Sequence, residues 1–506
     1  MKRFTRDVVI IAAATAVSRI FGLFRDVVIA DKFGAGRAYD AYLIAFFVPH
    51  FLRRLLAEGA LALSFIPIYT DYLQEDPVEA RKMASNALNL SLIAFPIVIV
   101  IGIFLAPYYI PFLASGFPSA QQELTVELTR VIFPFIGIIG MAALVMGILK
   151  SKKDFFPPAF APVFFNVGVI TGALVLGQFF DRPIFGLAAG VLLGGLGQLG
   201  FQLPYLKKNG FTWSGNFFPV HPGLKKALRL MAPVVIGLIA MQVNVMVDNK
   251  LASHLVPGSV SSLQYATRLY QLPLGLFAIA ISTAILPRLS SLWASDSKSD
   301  YAKMLNRGVK FSLLIVVPAA AGLYLLGEPI VELLFEHRSF VASDTARTVH
   351  VLNFYLVGLV GYSFVTLFSR AFYSVKDTVT PVLVSLLAVG VNLGLDLALV
   401  GPMDVGGLAL ATGVSGIVNG GLLLAVFGWK TGVTGFLPNW RFLVQVLGSV
   451  ILMGVAVFFV RAWLPRGNNF LLVPVGVIAG AFSYFAAGLL LGLRETFVEE
   501  LLEMGD

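Results

Sequence analysis

Apolar residues run through this chain in fourteen long blocks separated by short polar stretches. The blocks cover roughly 8–31, 39–70, 87–114, 128–149, 159–180, 184–206 and 228–252. The rest cover 263–293, 309–336, 347–372, 379–400, 405–428, 440–463 and 470–492. Each holds about 20 residues or more, the length at which a helix rising about 1.5 Å per residue crosses a hydrocarbon layer about 30 Å thick. Many contain Gly or Pro, which membrane helices tolerate where neighbours or cavity water satisfy the freed backbone groups. The pattern predicts an all-α polytopic membrane protein with fourteen transmembrane helices. Lys2, Arg3 and Arg6 before the first apolar block resemble the start of a signal peptide. The block continues past Ser18 to full spanning length, so a retained first helix is expected.

Composition agrees with the pattern: 58% hydrophobic, 13% charged and mean hydropathy +0.85. The chain has no cysteine, so disulfides, thiolate nucleophiles and cysteine metal sites are excluded. Five histidines lack ligand spacing, and no HExxH, GxSxG or P-loop sequence occurs. The net charge of +9 follows from topology. With the N-terminus inside, the inner segments hold 21 basic residues, from Lys2 to Arg494, and the outer loops hold 7, from Lys32 to Arg466. That bias places both termini in the cytoplasm, and no nucleic-acid partner is needed to explain the basic balance.

The stretch from Ser18 to Tyr69 breaks the apolar rule. It carries Arg19, Arg25, Asp26, Asp40, Arg53, Arg54 and Glu58 within two blocks of spanning length. A charge at mid-membrane costs about 2.5–3.5 kcal/mol on insertion scales, so such residues face a bundle interior or a wet cavity and mark a pathway or ligand site. Counting along the helices places Arg19 about 16 Å and Arg53 about 20 Å deep. Pairing or snorkelling is the plainer alternative, strongest for Arg54, which has Glu58 four residues on. Guanidinium groups stay charged and match phosphate oxygens bidentately. Several arginines with few carboxylates therefore suit an anionic, phosphorylated substrate. The second half offers Arg268 in YATRLYQLPLG.

An internal repeat sets the organisation. Residues 140–158 align without gaps on 363–381, with Ser151, Lys153, Asp154 and Pro158 falling on Ser374, Lys376, Asp377 and Pro381. Pro67 in FIPIY similarly matches Pro287 in ILPRL. Two six-helix lobes follow, 1–220 and 221–439, in a parallel repeat. The segment 440–506 supplies two C-terminal helices.

SRIFGLFRD, FGAGRAYDAYLIAFFVPHFLRRLLAEGALALSFIPIY, YATRLYQLPLG and LFEHRSFVASDT resemble the signature stretches of the MurJ (MviN) lipid II flippase family, over nearly the whole chain. That family belongs to the multidrug/oligosaccharidyl-lipid/polysaccharide exporter superfamily. The resemblance implies two lobes around a central cavity, and a groove on the last two helices for a prenyl tail. It implies a non-enzymatic transporter of the bacterial cytoplasmic membrane that acts as a monomer among membrane lipids. Its substrate would be lipid II, the undecaprenyl-pyrophosphate-linked peptidoglycan precursor. The cavity arginines would correspond to Arg19, Arg25, Arg53 and Arg268, with Asp26, Asp40 and Glu58 as acidic neighbours. Gln271 departs from relatives that carry an acid there, which removes an acid–arginine pair but not Arg268. No cofactor is implied beyond sodium as a coupling ion. For that ion Asp248, Asn392, Asp396, Thr412 and the Leu408 carbonyl offer the hard oxygens a small cation takes, as in some family members. Asn392 and Asp396, four apart, share a helix face. Internal pairing of the same groups is the alternative. A flippase for another undecaprenyl-linked oligosaccharide, or a cation-coupled drug antiporter, are the rival functions. The antiporter would prefer an acidic, apolar cavity. Truncation at 440 is expected to harm transport more than folding of a twelve-helix core.

Overall fold

The computed structural model describes residues 2–53, 61–215, 217–465 and 467–493, and among them every regular element is a helix. Two compact units form. The first is Met1–Ser261 with His337–Phe340; the second is Ser262–Glu336 with Val341–Asp506.

The first unit holds α1 (Lys2–Phe33), α2 (Arg37–Arg53), α3 (Leu61–Glu75), α4 (Pro77–Leu113), α5 (Ser119–Ile132), α6 (Phe135–Ser151), α7 (Phe156–Phe160), α8 (Pro162–Leu174), α9 (Ile184–Lys208) and α10 (Pro222–Ser253). Its core at one end joins Phe65, Tyr69, Met83, Ala84, Ile148 and Leu149, all at most 1% exposed. α8 and α9 pack backbone against backbone. A Cβ on Gly168 would stand 2.2 Å from the Gly194 backbone, and one on Gly172 2.6 Å from Gly190. Only glycine permits that approach, and it replaces the hydrophobic effect as the source of association inside a membrane.

The second unit begins within α11 (Ser259–Pro273) and continues through α12 (Ile279–Ala294), α13 (Lys298–Phe335), α14 (Ala342–Val357), α15 (Leu359–Ser374), α16 (Val379–Thr431), α17 (Trp440–Trp463) and α18 (Asn469–Leu490). Between α11 and α12 the backbone is π-helical over Leu274–Ala278. Pro273, which lacks an N–H, stands at the junction, where a wider turn takes up the missing bond. α14 and α15 bend by 46° at their break. The 53-residue α16 is two spans: Asp404 has φ 48° and ψ −138°, Ser415 Oγ donates to the Ala388 carbonyl at 2.7 Å, and the chain doubles back. This is the boundary expected between 379–400 and 405–428.

Among the described residues nine helices are long and apolar enough to cross a membrane, or ten with the bent pair taken as one. The outward apolar side chains suit lipid: Phe104 is 77% exposed and Phe482 75%. α17 and α18 are more than an outer pair. Phe442, Val446, Met453, Val457 and Tyr484 belong to the second unit's core, Tyr484 Oη donates to the Leu314 carbonyl at 2.9 Å, and Arg461 Nη1 to the Leu325 carbonyl at 2.6 Å. Truncation at 440 would remove these residues from that core.

The repeat recurs in local geometry. Lys153 (φ 61°) and Lys376 (φ 65°) both take the left-handed conformation after a helix. The N–H groups of Lys153 and Asp154 bond to Lys150 and Leu149 as those of Lys376 and Asp377 bond to Tyr373 and Phe372. These are two copies of one Schellman ending. Starting residues keep nearly the same offset, 220 between Lys2 and Pro222 for α1 and α10 and 221 between Pro77 and Lys298 for α4 and α13.

Candidate functional site

The charged stretch resolves around one turn of α8. Arg25 on α1 donates from Nε (2.9 Å) and Nη2 (2.6 Å) to Oδ1 of Asp26. Its Nη1 donates to Oδ1 of Asn166 on α8 at 3.0 Å. Asn166 is itself buried and donates from Nδ2 to the Ser18 carbonyl of α1 at 3.1 Å, so it ties Arg25 to the helix that bears it. The ion pair is sheltered, with Arg25 and Asp26 side chains 15% and 9% exposed. The neighbour Phe165 serves the other arginine: Arg53 Cζ lies 5.8 Å from its ring centre, within cation–π range. Phe165 is fixed by Phe135 (5.5 Å between centroids), which in turn meets Phe46 of α2 at 6.0 Å. Consecutive residues on a helix point about 100° apart, so one dipeptide of α8 addresses an arginine from α1 and another from α2.

The remaining site residues fall as follows. Arg19 is exposed on α1. Arg268 is half-buried on α11, in the second unit. Arg54 and Glu58 lie outside the described residues. Asp40 is occupied as a structural acid. It is 2% exposed and accepts from Gly258 N (2.6 Å), Ser261 N (2.8 Å) and Ser261 Oγ (2.5 Å). A carboxylate there neutralises the unsatisfied donors at the start of α11. Close by in sequence, Gly34 (φ +60°) allows Ser339 to seat on the end of α1. A Cβ at Gly34 would stand 2.2 Å from the Ser339 carbonyl oxygen, and Ser339 Oγ donates to the Lys32 carbonyl at 3.1 Å.

Of the five residues expected to offer oxygens to sodium, four belong to the second unit. The hairpin in α16 brings the Asn392–Asp396 turn beside the Leu408–Thr412 turn, because Ala388 is bonded to Ser415 and Leu399 touches Gly407. Asn392 Nδ2 donates to Asp396 Oδ2 at 3.1 Å, and both are buried. The Thr412 hydroxyl oxygen is buried with no hydrogen-bond partner, an orphan acceptor of the kind a cation would satisfy. Asp248 is half-buried on α10 in the first unit. No cluster of three His, Cys, Asp or Glu side chains occurs among the described residues, so any ion here would rely on neutral oxygens too.

Phe165 and Asn166 escaped the sequence reading. The available signal was an asparagine about 10 Å into an apolar block, where an amide needs partners.

Membrane-length helices together with half-buried, partnered arginines define a polytopic membrane protein. The family model described as lipid II flippase MurJ matches residues 29–477. A probable lipid II flippase MurJ of Vibrio cholerae is 33% identical over 97% of each chain, and one of Thermotoga maritima is 34% identical over 97% of each. The lipid II flippase MurJ of Burkholderia cenocepacia is 33% identical over 88% of each. The chain belongs to the lipid II flippase MurJ family. A solved structure of lipid II flippase MurJ in an inward closed conformation matches with TM-score 0.82 and 27% identity, covering 98% of this chain and 100% of that one. An inward-facing MATE-family multidrug resistance transporter shares the fold at TM-score 0.70 and 16% identity, over 84% of this chain and 98% of its own.

Proposed function

We propose that this chain moves lipid II from the inner to the outer leaflet of the bacterial cytoplasmic membrane by alternating access, with no covalent chemistry. The observation that carries the reading is the pair of arginines, Arg25 and Arg53, that meet adjacent residues of α8. Arg25 is oriented by Asp26 and Asn166 and Arg53 packs on Phe165, and guanidinium groups stay charged and match phosphate oxygens. Arg19 and Arg268 are assigned to the same task on the resemblance alone. The sugar-peptide head travels in water, and the prenyl tail stays in lipid beside α17 and α18, whose exposed faces carry Phe458, Phe459 and Phe482.

Fourteen spans follow if α2 with α3, α5 with α6, α7 with α8, α11 with α12, and α14 with α15 each cross once while α16 crosses twice. The lobes are 1–220 and 221–439, supported by the matching Schellman endings and element offsets of 220 and 221. An even count leaves both termini in the cytoplasm, and a monomer suffices for the cycle. Sodium bound by Asn392, Asp396, Thr412 and the Leu408 carbonyl, with Asp248 assigned on the resemblance alone, would bias that cycle; the orphan Thr412 hydroxyl favours it.

The test is replacement of the native lipid II flippase in a depleted bacterium by this chain. Growth with the wild type, and lysis with Arg25→Ala or Arg53→Ala at normal abundance, is the expected result. Full growth with both variants would refute the assignment.

A further inference from the structure

We infer that Asn166 is a positioning residue for substrate, acting through Arg25. The inference rests on reading Arg25 as a phosphate ligand and goes beyond it by naming what aims that ligand. A guanidinium has five N–H donors in a rigid plane. Asp26 takes the one on Nε and one on Nη2, and Asn166 takes one on Nη1. One N–H then remains on each terminal nitrogen. That is the set a bidentate phosphate contact uses.

Asp26 alone would leave the plane free to swing about its single accepting oxygen. Asn166 removes that freedom, because its own amide is locked by the bond to the Ser18 carbonyl. It does so without adding negative charge. An aspartate at the same place would give Arg25 a second carboxylate and oppose an incoming phosphate. The Asn is thus suited chemically as well as geometrically. Phe165, one residue earlier, holds Arg53 through its ring face and supplies an internal control, since it addresses a different arginine.

The experiment is equilibrium binding of purified lipid II to the full chain in detergent, with melting temperature followed in parallel. Asn166→Leu should weaken binding about tenfold, the value of one hydrogen bond to a charged group. The double variant Asn166→Leu/Arg25→Ala should bind as Arg25→Ala alone, within about twofold, because the Asn acts only through that guanidinium. Combined with Arg53→Ala, the Asn166→Leu loss should multiply in full. Asn166→Asp, which keeps an acceptor for Arg25, covers the case in which the leucine variant does not fold; it too should weaken binding about tenfold with melting little changed. Wild-type affinity in Asn166→Asp or in a folded Asn166→Leu would overturn the proposal. So would a full multiplicative loss with Arg25→Ala, which marks a merely structural role. If Arg25→Ala itself binds lipid II normally, the phosphate-ligand reading falls. If Arg25→Ala is impaired while Asn166→Asp and Asn166→Leu are normal, only the role of Asn166 falls.

Discussion

Asp377 closes the folded-back α16 at its open end, and replacing it with Asn should cost about 1–1.5 kcal/mol. The carboxylate accepts from Val379 N (3.1 Å), Thr380 N (3.0 Å), Thr380 Oγ1 (2.7 Å) and Lys430 Nζ (2.6 Å). Asn is as good an N-cap as Asp, so the backbone bonds survive. What is lost is the bond to the charged Lys430, worth about 1.5–3 kcal/mol in shelter. Lys430 is half-exposed, which brings the figure down toward about 1 kcal/mol. Asp377→Ala also loses the cap, about 1 kcal/mol more. The repeat-related Asp154 meets a neutral partner, Asn209 Nδ2 at 2.8 Å, so Asp154→Asn should cost about 0.5 kcal/mol. Desolvation pushes the Asp377 acid upward, but the bonds from Lys430 and Thr380 outweigh it and hold it at about 2. A depressed acid contributes its full stabilisation above about pH 4, the range of a free carboxyl, and loses it as pH falls through about 2. Detergent-unfolding titrations at pH 7, 4 and 2 should therefore show an Asp377→Asn deficit that is constant from 7 to 4 and shrinks by 2. A deficit in Asp154→Asn as large as in Asp377→Asn, or one in Asp377→Asn unchanged at pH 2, would refute the reasoning.

Arg25→Lys should complement only partly, since one ammonium cannot hold Asp26 and Asn166 and still present two N–H groups to a phosphate; growth at limiting expression reads this. Gly168→Ala should prevent accumulation of the protein, because its Cβ would stand 2.2 Å from the Gly194 backbone; immunoblotting of membranes against Gly210→Ala, where nothing lies within 4 Å, shows the difference, with the left-handed φ of Gly210 costing only about 1 kcal/mol. If sodium binds in the α16 hairpin, sodium chloride should raise the melting temperature above that in potassium or choline chloride, and Asp396→Ala should abolish the gap. A chain ending at Asn439 should melt well below the full protein, since α17 and α18 complete the second unit's core.

The apolar blocks made most of the fold legible, because a residue in hydrocarbon has few choices of backbone. The break in α16 was readable from Gly401-Pro402 at the end of one block, and Asp404 supplies the non-helical step. The repeat was readable because a Schellman ending needs particular residues at fixed places. The site was harder. Charges announced that α1 and α2 mattered, yet nothing near Asp40 in sequence says that its partners lie at Gly258 and Ser261. A carboxylate that ligates substrate and one that caps a distant turn look alike until the turn is in place. Phe165 and Asn166 stayed hidden for the opposite reason. They sit in VFFNVG, where aromatic and amide look like lining.

An arginine in hydrocarbon must reconcile two demands, and the surroundings of Arg25 show how. Left alone it would cost about 2.5–3.5 kcal/mol on insertion scales, so the adjacent Asp26 offsets its charge. A fully engaged pair, however, would leave no donors and no field for a phosphate. Here a single Asp26 oxygen takes two of the five donors, and a neutral amide takes a third. The residual pair stays polar enough to need a partner and tight enough not to collapse elsewhere. Arg53 meets an aromatic ring: the face of Phe165 stabilises the cation by its quadrupole. One arginine is thus set against a carboxylate and an amide, the other against an aromatic ring. A diphosphate with two unequal ends, one on sugar and one on prenol, would meet two guanidinium groups that are held in different ways.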